Sequence, residues 1–359
     1  MNNQADKGRF FPPEWYPQSG IMLTWPHQDT DWLPWLAEVD ALYARITREI
    51  IPHERVLVVY RDEEHRQHIV NMLQSMDITS SEILFTQSDS NDTWARDHGP
   101  ITVYDQQHPV LLDFGFDGWG RKFKAERDNL INKTLHAHGI FPGCTLQSLD
   151  IVLEGGSIET DGQGTLLTTS RCLLDGIRNP SLQQRDMEHT LREYFGVNRI
   201  LWLDHGYLAG DDTDSHIDTL ARFCSADTIA YVTCKDPADE HYAELLKMEQ
   251  QLQGFLDSRG YPYHLVPLPM PRPHLDEEGN RLPATYANFL IINDAVLVPT
   301  YEDPHNDQEA LTRLAGAFPD RQIIGVNCSV LIQQHGSLHC ISMQLPRGVL
   351  PEARARQAI

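Results

Sequence analysis

The 359-residue sequence is poor in several features, and each shortage excludes a class of protein. Cysteine is scarce: Cys144, Cys172, Cys224, Cys234, Cys328 and Cys340 are the only six, and no two form a CxxC pair. Zinc-finger and thioredoxin-type spacings are therefore absent. No apolar run reaches the roughly 20 residues that span a bilayer, so no membrane association is expected. The opening stretch, MNNQADKGRFFPPEW, lacks the apolar core of a secretory leader. No signal peptide is expected, and with it a cytoplasmic location and reduced thiols. A GxxxxGK(S/T) loop, a convincing GxGxxG and an HExxH helix are all missing. Basic residues are in deficit, with Lys plus Arg at 29 against 51 Asp plus Glu, a net charge of −22. Phosphates would be repelled, so sequence-independent binding of nucleic acid is not expected, while a small cationic substrate is compatible with this sign.

What is present suits one large core. Hydrophobic residues make up 41% of the chain and charged residues 22%, which rules out wholesale disorder. No low-complexity tract or long linker divides it, and the Pro-rich stretch 267–273 followed by HLDEEGNRLP reads as a surface excursion. A single domain over 1–359 is expected.

A pattern recurs along the chain. ITVYD/VLLDFGF, GSIET/GTLLTTS, HIDTLARFC/TIAYVTC and YANFLII/AVLVPTY read as four hairpins. The expected helices are 124–138, 181–196, 239–260 and 307–318, and each precedes one further strand: CTLQSL, RILWLD, YHLVPL and QIIGVNC. SLHCISMQL near the C-terminus has no partner in sequence. SGIMLTWP, a helical stretch at 29–50 and ERVLVVY at the N-terminus supply what it lacks. If the two ends pair, a ββαβ unit recurs five times, with hairpins starting near 101, 157, 217, 286 and 337. Units of this kind bury their apolar faces against neighbours, and pairing the ends removes open edges. The fold expected is α/β, a ring of ββαβ repeats about a pseudo-symmetry axis, with an ordinary α/β or α+β sheet as the alternative.

Four segments concentrate acid, His and Cys: WARDHGP (94–100), LEGGS (153–157), DDTDSHID (211–218) and HGSLHC (335–340). Each lies just before or at the start of a hairpin, and in a ring such positions converge. His216 and Asp218, at i and i+2, would share one face of a strand, where a carboxylate and an imidazole can bind a cation and move a proton. Each candidate also has a plainer reading. Asp97 could satisfy turn N–H groups, and Glu154 could pair with a nearby Arg or Lys. Asp211, Asp212 and Asp214 could form a solvated acidic turn. Trp94 could be a core aromatic, and Cys340 a buried structural thiol.

Together these segments resemble the agmatine deiminase and bacterial-type peptidylarginine deiminase family of guanidine-modifying enzymes. The resemblance runs over nearly the whole chain: Pro13-Glu14-Trp15-Tyr16-Pro17, Thr24-Trp25-Pro26, WARDHGP, Phe116-Asp117-Gly118-Trp119-Gly120, LEGGS, DTDSHID, Tyr286-Ala287-Asn288-Phe289, Asp303-Pro304 and HGSLHC. It implies a five-bladed α/β propeller, the pentein fold, about a pseudo-fivefold axis. It implies Cys340 as nucleophile, His216 as general acid/base, Asp97 and Asp218 as carboxylates gripping a guanidinium, Glu154 as a further active-site acid and Trp94 as a pocket wall. A planar guanidinium suits two carboxylates, and holding it fixes its carbon against a thiolate. The reaction expected is hydrolysis through an S-alkylthiouronium, with no metal, nucleotide or redox cofactor, in a protein implied to be a homodimer.

Agmatine is the substrate expected, giving N-carbamoylputrescine and ammonia for putrescine biosynthesis, with Asp211 or Asp212 meeting its distal ammonium. Peptidylarginine and free arginine are the alternatives. The chain departs from agmatine-specific relatives at Ser215, where Gly is usual, at His335 and Ser337 before the nucleophile, and after Trp119. Two other classes are a metal-dependent hydrolase using Asp97, His98, His216, Asp218 and Cys340, and a non-catalytic binding propeller.

Overall fold

The computed structural model describes residues 8–351. Residues 1–7, part of the stretch read for a leader, and residues 352–359 of the expected single domain lie outside the described residues. No helix among the described residues is long and apolar enough to cross a membrane.

The described chain is α/β and forms five separate sheets. Each contains an antiparallel pair and a further strand running parallel to the second member of that pair. In the first, Ile101–Asp105 pairs with His108–Gly115, and Thr145–Val152 follows in parallel. The second joins Ile158–Thr160, Thr165–Thr169 and Arg199–Leu203. The third joins Ala221–Ser225, Thr228–Val232 and His264–Leu268, and the fourth Leu290–Ile292, Ala295–Thr300 and Gln322–Asn327. In the fifth, Ser342–Pro346 pairs antiparallel with Gln18–Thr24, with Ser342 opposite Leu23, and Arg55–Tyr60 runs parallel beyond it. The two ends of the chain thus share a sheet, as the unpaired C-terminal run required.

Helices bridge each pair to its parallel strand, as a parallel connection requires. They are Ile131–Ala137, Gln184–Phe195, Tyr242–Gln253, Pro304–Ala317 and Leu36–Ile50. The central strands are buried on both faces: Ile21, Met22 and Leu23 are inaccessible, as are Val56 through Val59. That is why they read as unbroken apolar runs rather than alternations.

Several sequence expectations are trimmed. The helix expected at 124–138 is confined to Ile131–Ala137 after a 3-10 turn at Asp128–Leu130. Asp128 is tied elsewhere, its carboxylate accepting the N–H of Asn91 at 2.7 Å. The helix expected over 239–260 stops at Gln253, beyond which Leu256 bridges Pro262. In the 29–50 stretch, Pro34 sits in a 3-10 turn and the α-helix begins at Leu36. The sequence reading assigned nothing between 61 and 93. A helix, Glu63–Ser75, and a parallel strand, Ile83–Gln87, lie there. Its stripe of buried residues is narrow, His65, Ile69 and Leu73, which gives a weak amphipathic signal.

One regularity positions the site. The turn entering the first strand of every antiparallel pair carries a polar side chain aimed at the same place. These turns hold Asp97 before Ile101–Asp105, Glu154 before Ile158–Thr160, and His216 and Asp218 before Ala221–Ser225. They also hold Asn288 before Leu290–Ile292 and Cys340 before Ser342–Pro346.

Candidate active site

His216 and Asp218 meet the site by a route other than the one expected. Residues 217–219 form a 3-10 turn with His216 as its N-cap, and the strand begins only at Ala221. The shared strand face is therefore corrected to a tight turn that folds both side chains inward. Cys340 likewise sits in a turn ahead of its strand, not within it.

The Cys340 Sγ is 3.8 Å from Asp218 Oδ2 and within 3.4 Å of both side-chain heteroatoms of Asn288. Asn288 Oδ1 also accepts the N–H of His339 at 2.8 Å and of Cys340 at 3.3 Å, so this amide fixes the backbone of the thiol. Asn288 was missed as a site residue. Its place in the fourth pre-hairpin turn is the signal that marks it.

Asp97 lies in the short helix Ala95–His98. Its Oδ2 accepts the Trp119 indole N–H at 2.9 Å, and its Oδ1 accepts the Gly156 N–H at 3.0 Å. Trp119 reaches it from a left-handed turn in the FDGWG segment. Gly156 is dictated by space. A Cβ there would lie 2.7 Å from His216 Nδ1, 2.8 Å from Asp97 Oδ1 and 3.1 Å from Asp218 Oδ2. Glycine keeps the middle of the cluster open.

His216 Nδ1 stands 3.6 Å from Asp97 Oδ1, and its Nε2 3.8 Å from Glu154 Oε2. Glu154 is held by the Arg178 Nε at 2.8 and 3.0 Å. The plainer reading of Glu154, a carboxylate paired with Arg, is thus present together with the contact to His216. Arg178 was not read from the sequence, and it continues to Asp175 and Asp214. Behind Asp218, the His339 Nδ1 is 2.8 Å from Oδ2, and its Nε2 is 2.7 Å from Glu14 Oε1. Glu14 in turn pairs with Arg222, which also pairs with Glu159.

Burial and charge set the protonation of these groups. Cys340, Asp97, Asp218, Glu154 and His216 are all buried. Burial pushes the Cys340 thiol well above its ordinary range, and Asp218 and Asp97 add to this. Burial pushes Asp97 up to about 6, although His216 pulls it back. For His216, burial favours the neutral ring, but the Asp97 charge together with Cys172 and Glu154 outweighs it and holds the imidazolium. Burial opposes ionisation of Asp218, yet the hydrogen bond and charge of His339, with His216 and Arg222, together offset it and keep the carboxyl low. Glu154 is held low in the same way, by His216 and Arg178. The cluster presents two carboxylates, Asp218 and Asp97, beside a neutral thiol, an arrangement suited to a planar cation.

Trp94 is buried and packs on Trp32 and Trp119, with ring centroids 5.8 and 6.3 Å apart. Gly336 lets the chain cross its face, since a Cβ there would lie 2.1 Å from the ring. The acidic run divides by role. Asp211 Oδ1 accepts from the Thr213 N–H at 3.1 Å and hydroxyl at 2.5 Å, and its Oδ2 accepts the Ser215 N–H at 2.6 Å. Both its oxygens are engaged in the turn. Asp214 is neutralised by Lys122 and Arg178, each at 2.8 Å. Asp212 is half-buried, 3.8 Å from His335 Nδ1. Ser215 has φ +66°, the backbone region that favours glycine, which accounts for the glycine expected there.

Of the metal-ligand set read from the sequence, Asp97, His216, Asp218 and Cys340 gather in this cluster and His98 does not. His98 turns away to Thr24, 3.3 Å from its hydroxyl. Among the described residues, donors within 4.8 Å of one another occur as Glu154, Cys172 and His216, and as Glu14, Glu159 and His339.

The chain is similar to known proteins over most of its length. A family model described as Porphyromonas-type peptidyl-arginine deiminase matches residues 10–346. A Vibrio parahaemolyticus protein named "Putative agmatine deiminase" is 32% identical over 95% of this chain and 98% of its own. Among solved structures, a "Putative Arginine Deiminase from Porphyromonas gingivalis" is 50% identical, covering 96% of this chain and all of that one (100%) with a TM-score of 0.88. A cysteine-to-serine variant of C. jejuni agmatine deiminase with substrate bound is 38% identical, covering 97% of this chain and 100% of that one, also with a TM-score of 0.88.

Proposed function

We propose, from the premise that this chain belongs to the Porphyromonas-type peptidyl-arginine deiminase family, that it hydrolyses the guanidinium group of agmatine to N-carbamoylputrescine and ammonia. The observation that carries this reading is the buried Cys340 thiol beside Asp218 and Asn288, with Asp97 and the His216 it pairs with in the same cluster. Its five sheets are read as the blades of a propeller about a pseudo-fivefold axis, which explains why five turns from distant parts of one domain converge. A cytoplasmic homodimer remains the expected setting.

Asp97 and Asp218 hold the guanidinium in the space Gly156 leaves open. Their charge, which keeps the resting thiol protonated, is then matched by the substrate cation. The thiol loses its proton to solvent, and sulfur attacks the guanidinium carbon. His216, protonated at rest, gives its proton to a terminal nitrogen, the C–N bond breaks, and ammonia leaves. The S-alkylthiouronium remains. Water attacks the same carbon while neutral His216 takes a proton from it. The C–S bond breaks, and the sulfur regains a proton from the departing product, now a urea. Glu154, locked by Arg178, keeps the imidazole aimed at the reacting atoms.

Agmatine is favoured over larger substrates because the thiol is enclosed, with Cys340 only 6% and Trp94 5% exposed. Asp212 is the carboxylate left to meet a distal ammonium. Peptidylarginine is the second reading, favoured by the family description. A urea-product assay over agmatine, free arginine and arginine-containing peptides, with Cys340→Ser as control, separates them. Turnover of peptides with inert agmatine would replace the substrate and keep the chemistry. Undiminished turnover in Cys340→Ser would end it.

A further inference from the structure

Cys172 has no part in the reaction above, yet it lies against the imidazole that does. It is inaccessible, in the short helix Ser170–Leu173. Thr169 ties that helix to the His216 turn: its Oγ1 accepts the Cys172 N–H at 3.3 Å and donates to the Ser215 carbonyl at 2.8 Å. A carboxylate oxygen of Glu154, the Cys172 sulfur and an imidazole nitrogen of His216 all lie within 4.8 Å of one another. His216 Nε2 is 3.8 Å from Glu154 Oε2 and, although buried, has no hydrogen-bond partner.

Thiolate, imidazole and carboxylate are the donors zinc selects, and bonds of about 2.0–2.3 Å place the ligand atoms of one tetrahedral ion roughly 3.3–3.8 Å apart. Small side-chain movements bring the three atoms into that range. The outer contacts are those of a metal site. Asp97 faces the far ring nitrogen of His216, and Arg178 orients Glu154. The positive charge of Arg178 is already matched by Asp175 and Asp214.

We propose that Glu154, Cys172 and His216 form an inhibitory site for a thiophilic divalent cation such as Zn2+. Binding displaces the thiol proton of Cys172 and the Nε2 proton of His216, with no change of oxidation state. With Nε2 held by the ion, the Nδ1–H that faces the guanidinium space belongs to a neutral, metal-bound imidazole, a far weaker acid than the imidazolium, and His216 no longer protonates the leaving nitrogen. The inhibition rests on the acid/base reading of His216, whereas the binding does not.

The test uses the full chain, freed of metal by a chelator and titrated with Co2+. A thiolate-to-cobalt charge-transfer band is expected in the wild type and in Cys340→Ser, and its loss in Cys172→Ala and Cys172→Ser. Zn2+ is expected to inhibit agmatine turnover reversibly, with EDTA restoring it. Either Cys172 variant should still turn over agmatine while weakening that inhibition at least tenfold. No band in the wild type would overturn the site. So would a band that survives in both Cys172 variants and disappears in Cys340→Ser, which would put the ion on the nucleophile. A band dependent on Cys172 in a protein that hydrolyses no guanidine would support the site and overturn the proposed reaction.

Discussion

The backbone N–H of Gly156 donates to Asp97 Oδ1 at 3.0 Å, and the side chain that Gly156 lacks would fall between Asp97, Asp218 and His216. Gly156→Ala is therefore expected to fill the place of the guanidinium rather than to unfold the chain. Turnover should fall at least a hundredfold, with the thermal midpoint much less affected. Wild-type activity in Gly156→Ala would show that the substrate lies elsewhere.

The enclosed thiol makes a prediction about alkylation. Burial and the Asp218 and Asp97 charges hold Cys340 well above the ordinary thiol value of 9.0, so little thiolate exists at rest. Inactivation of the free enzyme by a small neutral alkylating agent should accelerate with pH without levelling off before pH 9.0. A plateau near neutrality would indicate a resting thiolate–imidazolium pair instead.

Asp97 should set the acid limb. It must be ionised to grip a cation, and burial raises it to about 6. The carboxylate is present above that value and lost as pH falls through it, so kcat/KM should decline below about pH 6. Asp97→Asn should abolish that limb along with most activity.

The acidic run offers a pair of contrasting variants. Asp212→Asn should raise KM for agmatine roughly tenfold, or ~1.4 kcal/mol, with kcat little changed. It should leave an alkylguanidine without the distal ammonium unaffected. Asp211→Ala should act mainly on stability, because it strips acceptors from the Thr213 and Ser215 N–H groups. A loss of about 1–3 kcal/mol is expected in denaturant unfolding. Equal effects of the two on KM would refute the division of roles.

Removing Arg178 tests the support of Glu154. Arg178→Gln leaves a buried carboxylate without its cation, at a cost of about 3–5 kcal/mol. The double variant Arg178→Gln with Glu154→Gln should recover much of that stability while remaining inactive. Thermal unfolding of the two variants and the wild type measures the difference.

Much of this molecule was legible in the chain. The strand, strand, helix, strand order follows from apolar runs punctuated by turns, because a strand buried on both faces has little choice of composition. The unpaired run at 342–346 required a partner, and the N-terminal strand is where it finds one. Cys340, His216, Asp97, Asp218 and Glu154 stood out because their residue types limit the chemistry they can perform. What the linear pattern did not carry was set by contacts between segments tens of residues apart. Asn288 reaches Cys340 from another sheet, Arg178 neutralises Glu154, and Trp119 donates to Asp97 from a strained turn. Asp211 and Asp212 are adjacent and chemically identical, and only the turn geometry decides that one caps backbone while the other is left available. The sequence by itself determined which groups exist and how often the repeat returns, since both are local properties. Only the tertiary structure decided which groups meet and which of them are ionised, because proximity and desolvation arise when distant segments pack.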